Sequence, residues 1–221
     1  PINISTQNVG GMRGEFQAKI GPKLATIRTL IAPSTDFLVL TETRADHRAI
    51  LNTKMRFDLR PSHYTASPQP RAGVVICARE IHKKLDGSER QSATPGHIAG
   101  AVYEVRKSRT VIIGVYSISD NNDRTSTALI NEISRMATEL KLLYNTMHVI
   151  ILGDFNAVLD AEDTHSGEIR KRGASVALHT LIERHQLTDL AQRAHKREHT
   201  WYKKGRLQQS SCLLYTSDAA D

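Results

Sequence analysis

The apolar stretch Val149-Ile150-Ile151-Leu152 is followed directly by Gly153-Asp154-Phe155-Asn156. Four consecutive apolar residues that end at a glycine predict a strand buried on both faces. A carboxylate and an amide then follow where this strand stops, and open α/β sheets keep their functional sites at the carboxyl ends of strands. The stretch therefore indicates a functional site, although glycine, aspartate and asparagine are also ordinary residues of a strand-ending turn.

On both sides of this stretch, segments of strand-like and helical patterning alternate along the chain. The strand-like segments are residues 2–8, 37–40, 74–78, 99–105 and 111–116, and the helical segments are residues 22–31, 127–144 and 174–185. Residues 61–71 contain three prolines and are predicted to form turns. The alternation predicts an α/β fold.

The composition is that of a soluble globular protein, most simply a single domain. The chain has 221 residues, is 39% hydrophobic, and contains no apolar run long enough to cross a bilayer. Thirty lysines and arginines outnumber 23 acidic residues, which gives a net charge of +7. This charge favours an anionic partner such as nucleic acid, although a basic solvated surface gives the same count. Two cysteines are too few for a disulfide framework.

Several predicted strands end on residue types suited to metal, water or phosphate chemistry. In chain order these residues are Asn8, Glu42, Tyr116, and Asp154 with Asn156. Taken singly, Glu42 is an exposed acid after a strand, and Tyr116 is a half-buried strand aromatic. Their repeated placement at strand ends predicts that they converge on one site.

These residues and their neighbours resemble the motifs of the endonuclease/exonuclease/phosphatase superfamily, which includes exonuclease III, deoxyribonuclease I and the endonuclease domains of non-LTR retrotransposons. The matching segments are Thr6-Gln7-Asn8-Val9, Leu40-Thr41-Glu42, Gly73-Val74-Val75-Ile76, Gly114-Val115-Tyr116 and Leu152-Gly153-Asp154-Phe155-Asn156. They occur in the family's order, with Gln7 in place of its tryptophan and Thr41 in place of its glutamine. The resemblance implies a four-layer α/β sandwich, in which two packed sheets are flanked by helices.

The resemblance also implies a metal-dependent phosphodiester hydrolase. Glu42 and Asn8 would hold Mg²⁺, or alternatively Mn²⁺. Asp154 would position or deprotonate the attacking water, and Asn156 and Tyr116 would hydrogen-bond the scissile phosphate or that water. A divalent ion suits this reaction because it neutralises charge on the phosphoryl oxygens and stabilises the leaving alkoxide.

Basic residues in the later part of the chain would contact DNA phosphates, with the tryptophan near the substrate cleft. The residues concerned are Arg170, Lys171, Arg172, Lys203, Lys204, Arg206 and Trp201. Alternatively, the basic residues form a solvated surface without a ligand, and the tryptophan is an ordinary residue of the hydrophobic core.

The retrotransposon resemblance implies a domain covalently linked to a reverse transcriptase and active in the nucleus. It would nick target DNA and leave a 3′-hydroxyl that primes reverse transcription. Two alternatives stay open. One is a cellular abasic-site endonuclease, exonuclease or other phosphoesterase, and the other is an inactive fragment that binds nucleic acid. The sequence does not predict the oligomeric state.

The last part of the sequence departs from the family pattern. The family continues from a segment like Gln208-Gln209-Ser210-Ser211 into S-R-(I/L)-D and S-D-H motifs, and neither motif is present. Residues 212–221 resemble a translated sequencing adapter, so we set them apart from residues 1–211, the expected truncated domain. We therefore expect the sheets to lack their last strands, and the chain to have marginal stability and little or no turnover.

Overall fold

The computed structural model describes residues 2–9, 31–44, 58–66, 72–117, 122–161 and 168–189, together with the backbone of residues 201–203, 206–209 and 212–217. The strands are β1 (Ile4–Asn8), β2 (Phe37–Thr41), β3 (Leu59–Thr65), β4 (Val74–Arg79), β5 (Lys83–Lys84), β6 (Arg90–Gln91), β7 (Ile98–Val105), β8 (Ser108–Tyr116), β9 (His148–Asp154), β10 (Leu187–Asp189), β11 (Trp201–Lys203), β12 (Arg206–Gln209) and β13 (Cys212–Ser217). The helices are α1 (Asp123–Leu143) and α2 (Arg172–His185). The helix predicted over residues 22–31 lies outside the described residues, apart from its last position.

The strands form two large sheets and a small hairpin. The four-stranded sheet has the order β1-β2-β4-β3, and the seven-stranded sheet has the order β10-β13-β9-β8-β7-β5, with β6 also paired to β7. The hairpin consists of β11 and β12. Each large sheet contains one parallel pair, β1 with β2 and β8 with β9. Parallel neighbours end at the same edge of their sheet, so their last residues lie side by side.

Both faces of the central strands are buried, which explains their continuous apolar sequence. Alternate residues of β8 and β9 face opposite cores. Ile112, Ile150 and Leu152 pack against the four-stranded sheet, whereas Ile113 and Ile151 pack against the two helices. The predicted α/β sandwich, with two packed sheets and helices on the outside, is confirmed for this part of the chain.

The two helices cover the outer face of the seven-stranded sheet and are joined at their N-termini through Asp123. Asn122 caps α1 by accepting a hydrogen bond from the Thr125 amide at 3.2 Å. The Asp123 carboxylate accepts hydrogen bonds from the amides of Gly173 and Ala174 in α2, both at 2.8 Å. Because the N-cap side chain of α2 makes no capping bond itself, this carboxylate from α1 supplies the cap. Within the described part of the chain, no helix is long and apolar enough to span a membrane.

A buried polar pair also links the two helices. The hydroxyl of Ser134 lies 3.0 Å from Nε2 of His185, which is 3% exposed. Burial and the positive charge of Lys141 lower the pKa of His185 to about 4. The imidazole is therefore neutral at pH 7, which makes its burial between the helices less costly.

Residues 61–65 differ from the sequence prediction, because they belong to β3 and do not form turns. Pro61 lies within this strand, and the pairing with β4 shifts register between Pro61 and His63. In the described sheet β3 is an edge strand, where a residue without an amide hydrogen is tolerated, and an irregular register accommodates it further. The turn prediction was wrong for this segment. Residues 67–71 lie outside the described part.

Residues 212–217, which the sequence analysis set apart, form β13 in the seven-stranded sheet. This strand pairs antiparallel with β9, from Cys212 opposite Asp154 to Thr216 opposite Ile150, and also with β10. In the described sheet β13 therefore covers the edge of β9, although we expected the sheets to lack their last strands. The segment is rich in apolar, aromatic and β-branched residues, which suit a strand. Its assignment as foreign to the domain stays a prediction.

Candidate active site

Four strand ends meet at one edge of the sandwich and carry most of the predicted site residues. In the four-stranded sheet, Asn8 lies opposite Thr41, and Glu42 follows directly. In the other sheet, Tyr116 lies opposite Asp154. The side-chain amide of Asn8 donates a hydrogen bond from Nδ2 to Oδ2 of Asp154 at 3.1 Å. This contact joins the two sheets, so their polar strand ends form one site, which we call the edge site.

The Asp154 carboxylate is held by hydrogen bonds to both of its oxygens. Oδ1 accepts from the backbone amide of Asn156 at 3.0 Å, while Oδ2 accepts from Asn8. The Asn156 side chain in turn donates from Nδ2 to the carbonyl of Ser117 at 2.8 Å, and the Ser117 amide donates to the Asp154 carbonyl at 2.7 Å. Asp154 is 8% exposed. Its carboxylate therefore has a fixed direction, which is what a group that handles one water molecule requires.

Gly153 and Asn156 are needed by the backbone as well as by the predicted chemistry. The φ of Gly153 is +145°, and an added Cβ would lie 2.0 Å from the carbonyl oxygen of Val115 on β8. Asn156 has a φ of 45°, in the left-handed region that asparagine occupies more readily than most residues. The backbone conformations of Gly153 and Asn156 thus place polar groups of the edge site at the end of β9, which packs tightly against β8.

Glu42 combines an unusual backbone conformation with a cationic neighbour. Its φ is 55°, and a side chain of this size in the left-handed region is typical of strained positions at functional sites. The carboxylate forms an ion pair with the guanidinium of Arg44. Backbone hydrogen bonds fix the turn, because the amides of Thr43 and Arg44 donate to the carbonyls of Gly73 and Ala72 at 3.1 and 3.0 Å. A metal ion bound by Glu42 would compete with Arg44.

Buried polar atoms without partners also concentrate at this edge. Five such side-chain atoms have no hydrogen-bond partner among the described residues, and four of them belong to Thr41, Thr43, Arg44 and Ser117. Buried polar groups are nearly always paired, so their concentration beside Glu42 is a further sign of a binding site. The burial of these side chains had no sequence signal, because nothing in a single threonine, serine or arginine indicates it.

His97 also lies at this edge, although it was not predicted from the sequence. It precedes β7 and pairs with the last residue of β8, because the Tyr116 amide donates to the His97 carbonyl at 2.8 Å. Its Nδ1 lies 2.6 Å from the Tyr116 carbonyl oxygen. The two rings are stacked, with centroids 6.0 Å apart and an angle of 4° between their planes. No sequence pattern indicates that His97 lies at this edge, because its place there depends on pairing with Tyr116, 19 residues away.

The donor atoms of the edge site fit a hard divalent cation. Among the described residues, no group of three histidines, cysteines, aspartates or glutamates could hold a metal ion. The edge offers the carboxylates of Glu42 and Asp154 and the amide oxygen of Asn8. Mg²⁺ is commonly bound through one or two carboxylates and keeps several waters. The donor set is therefore compatible with Mg²⁺ or Mn²⁺ held by Glu42 and Asn8.

The predicted DNA-contacting residues between positions 170 and 172 lie at the beginning of α2. Arg170 and Arg172 are exposed. Lys171 is half-buried, and its Nζ donates a hydrogen bond to the hydroxyl of Ser126 at 3.0 Å. The two arginines are therefore accessible to an anionic ligand, whereas Lys171 also ties the start of α2 to α1.

The other predicted DNA-contacting residues belong to the β11–β12 hairpin. Trp201–Lys203 pairs antiparallel with Arg206–Gln209, and Lys203 lies opposite Arg206. Lys204 lies outside the described residues. The hairpin brings the backbone positions of Lys203 and Arg206 together at the end of a short two-stranded sheet.

The fold is shared with solved structures of low sequence identity. The catalytic domain of Xenopus laevis APE2 has a TM-score of 0.67 and 13% identity, with 97% of this chain and 82% of that chain covered. NExo, a 3′ phosphatase from Neisseria bound to a product DNA hairpin, has a TM-score of 0.65 and 16% identity, with coverage of 98% and 87%. The endonuclease domain of TRAS1, a telomere-specific non-LTR retrotransposon, has a TM-score of 0.59 and 13% identity, with coverage of 99% and 86%. No curated protein sequence gives a significant match.

A family-level match covers most of the chain. The sequence profile described as Endonuclease/Exonuclease/phosphatase family matches residues 5–209. This range includes the whole edge site, from Asn8 to Asn156. Members of the family are metal-dependent nucleases or phosphatases. The chain belongs to the Endonuclease/Exonuclease/phosphatase family.

Proposed function

We propose that the chain is a Mg²⁺-dependent DNA endonuclease domain of a non-LTR retrotransposon protein. The observation that carries the catalytic part is the 3.1 Å hydrogen bond between Asn8 and Asp154. This hydrogen bond brings the end of β9 against the end of β1. Strand β2 pairs with β1, and Glu42 directly follows β2. Two separate sheets thus supply the groups that would hold a metal ion and the group that would handle water.

Each residue of the edge site has a role that follows from its chemistry and contacts. Glu42 and Asn8 would hold Mg²⁺, which would neutralise charge on the phosphoryl and leaving oxygens when bound. Asp154, oriented by its two hydrogen bonds, aligns the attacking water or accepts its proton. Asn156 keeps one amide hydrogen after bonding Ser117, and with Tyr116 it donates to the scissile phosphate or to the water.

DNA is the proposed substrate because the surface charge and a structural neighbour both favour it. The chain has a net charge of +7, and NExo was solved with a product DNA hairpin. Lysine and arginine contacts to phosphates give affinity that does not depend on sequence. The residues proposed to contact DNA are Arg170, Lys171, Arg172, Lys203, Lys204, Arg206 and Trp201.

The retrotransposon assignment is supported by the TRAS1 endonuclease fold, at a TM-score of 0.59. It is also supported by the run T-W-Y-x-K-x-R-L-Q-Q-S from Thr200 to Ser210, which resembles retrotransposon endonucleases. In this proposal the domain is linked to a reverse transcriptase, acts in the nucleus and nicks target DNA to provide a priming 3′-hydroxyl. A second candidate is a cellular abasic-site endonuclease, exonuclease or other phosphoesterase, because APE2 and NExo give higher TM-scores, 0.67 and 0.65.

Nicking of supercoiled plasmid under single-turnover conditions tests the catalytic proposal. Protein in excess over DNA allows even a low rate constant to be measured. Because little turnover is expected of this chain, we expect slow nicking with Mg²⁺ and none with EDTA. Asp154→Ala and Glu42→Ala should each reduce the rate constant by at least about 100-fold. Glu104→Ala is the matched control, because Glu104 is an exposed acid of β7 near the hairpin turn to β8.

The same assay separates the alternatives. Faster cleavage of an abasic-site duplex, or removal of a 3′ phosphate, than of intact plasmid would favour the cellular enzyme. DNA binding without any divalent-dependent cleavage would favour a domain that only binds nucleic acid. Nicking that both alanine variants retain would exclude the proposed roles of Glu42 and Asp154.

A further inference from the structure

His97 and Tyr116 are tied together by two hydrogen bonds that use their backbones and one ring nitrogen. The Tyr116 amide donates to the His97 carbonyl at 2.8 Å, and the His97 Nδ1 lies 2.6 Å from the Tyr116 carbonyl oxygen. A carbonyl oxygen can only accept, so Nδ1 is the donor and carries the hydrogen. The contact thereby fixes the tautomer of the neutral imidazole, with its hydrogen on Nδ1.

The rings of the same two residues are also in contact. Their centroids lie 6.0 Å apart, and their planes differ by 4°. This separation is within the range of favourable stacked pairs. Because Nδ1 is anchored to the tyrosine backbone, the imidazole plane cannot turn without breaking that hydrogen bond. The imidazole ring of His97 therefore keeps a fixed orientation beside the phenol ring of Tyr116.

The pair lies where the proposed reaction takes place. Tyr116 is opposite Asp154 in the β8–β9 register, and His97 flanks Tyr116 on its other side, at the start of β7. Tyr116 is 7% exposed, whereas His97 is only partly buried. A phenol hydroxyl that donates to a phosphate oxygen must point in a defined direction, so contacts on both sides of the ring matter. A displacement of such a group by about 1 Å lowers the rate of the chemical step strongly.

From this geometry we infer that His97 is a positioning residue for Tyr116 in phosphodiester hydrolysis. The inference rests on the proposed function. His97 acts through two separable contacts, the Nδ1 hydrogen bond and the ring stack, and it sets the direction of the Tyr116 hydroxyl toward the reacting phosphate. It changes the rate of the chemical step more than the affinity for DNA.

Four substitutions of His97 separate these contacts. His97→Ala removes both and should slow single-turnover nicking by about 10-fold while the Kd for DNA changes by less than about twofold. His97→Asn places an amide donor where Nδ1 was but lacks the ring, so it should recover part of the rate. His97→Phe keeps a ring without the donor and should also recover part of the rate, whereas His97→Gln, whose donor lies farther out, should stay slow. His148→Ala is the control, because His148 begins β9 at the opposite end of this sheet.

A double-mutant cycle distinguishes positioning from a general structural role. In a Tyr116→Phe background the hydroxyl is absent, so His97→Ala should slow nicking by less than about twofold further. A full additional loss in that background would overturn the inference. A long-range proton–nitrogen spectrum of the whole chain at about pH 8 should show hydrogen on Nδ1 of His97, and hydrogen on Nε2 would also overturn it.

Failure of the inference and failure of the proposed function give different results. If nicking is lost in Glu42→Ala but kept in His97→Ala, only the role of His97 is refuted. If the unsubstituted chain shows no divalent-dependent cleavage, the proposed function is refuted and the role of His97 is refuted with it.

Discussion

Replacing Gly153 with alanine tests whether the backbone of β9 sets the position of Asp154. The added Cβ would lie 2.0 Å from the carbonyl oxygen of Val115 and 2.8 Å from two other backbone atoms of that residue, whereas real Cβ contacts below 3.0 Å are essentially never seen. The obstacle is backbone in a paired strand, so β8 and β9 must move apart by about 1 Å. The φ of +145° adds strain for any residue with a side chain.

Both stability and nicking should suffer from this substitution. Overlap and backbone strain together are expected to lower the free energy of unfolding by about 3 kcal/mol. For a chain of this size that loss lowers Tm by about 6 to 12 °C. A displacement of about 1 Å between Tyr116 and Asp154 should slow nicking by about 100-fold. Thermal denaturation followed by circular dichroism measures the first effect, and single-turnover nicking of folded protein measures the second.

Gly100→Ala is the matched control for this substitution. Gly100 is buried in β7 of the same sheet, but its added Cβ would meet the sulfur of Met136 at 2.6 Å, and a methionine side chain can move aside. We expect a loss below about 1.5 kcal/mol and normal nicking. Equal Tm values for the two variants, or normal nicking by Gly153→Ala, would contradict the packing argument.

Three further predictions concern the helices and the DNA surface. Asp123→Ala removes the cap of α2 and should cost about 2 to 3 kcal/mol in urea denaturation, and Glu183→Ala, an exposed acid on the same helix, should change stability by less than about 0.5 kcal/mol. Equal losses would exclude the cross-helix cap. Folding lowers the pKa of His185 from 6.5 to about 4. Between these two pH values the unfolded chain therefore binds more protons than the folded chain. Stability should therefore fall as pH drops through this window, by up to about 1.4 kcal/mol per pH unit, and His185→Gln should flatten that part of the stability profile. Arg172→Ala should reduce the slope of log K against log salt for DNA binding by about 1, and an unchanged slope would remove Arg172 from the interface.

The elements that were predicted correctly are those whose pattern is local. The apolar run before Gly153 became β9, and the stripe over residues 174–185 became most of α2 (Arg172–His185). Both signals arise because a buried element repeats apolar residues with its own period. Pro61 misled the prediction for the opposite reason. Whether a proline fits in a strand depends on the strand being at a sheet edge, and that depends on pairing with β4, far along the chain.

The candidate site was predicted in part. Asn8, Glu42, Tyr116 and Asp154 were identified by residue type, order and resemblance, and the structure places them at one edge. His97 and the buried polar atoms around Glu42 were missed, because their importance comes from partners in space. Asp123 was missed in the same way, since the amides it caps are 50 and 51 residues away.

The order of strands and helices, the basic charge and the family motifs can all be read from the residues in sequence, because each depends on neighbours within a few positions. Gly153-Asp154-Phe155-Asn156 thus indicates a strand that ends in polar groups. That Asp154 accepts a hydrogen bond from Asn8, 146 residues earlier, follows only when the two sheets pack face to face. Glu42 lies near Asn8 because β1 and β2 pair in parallel. Contacts of both kinds join segments that are distant in the sequence, so they depend on how strands and sheets are arranged in space.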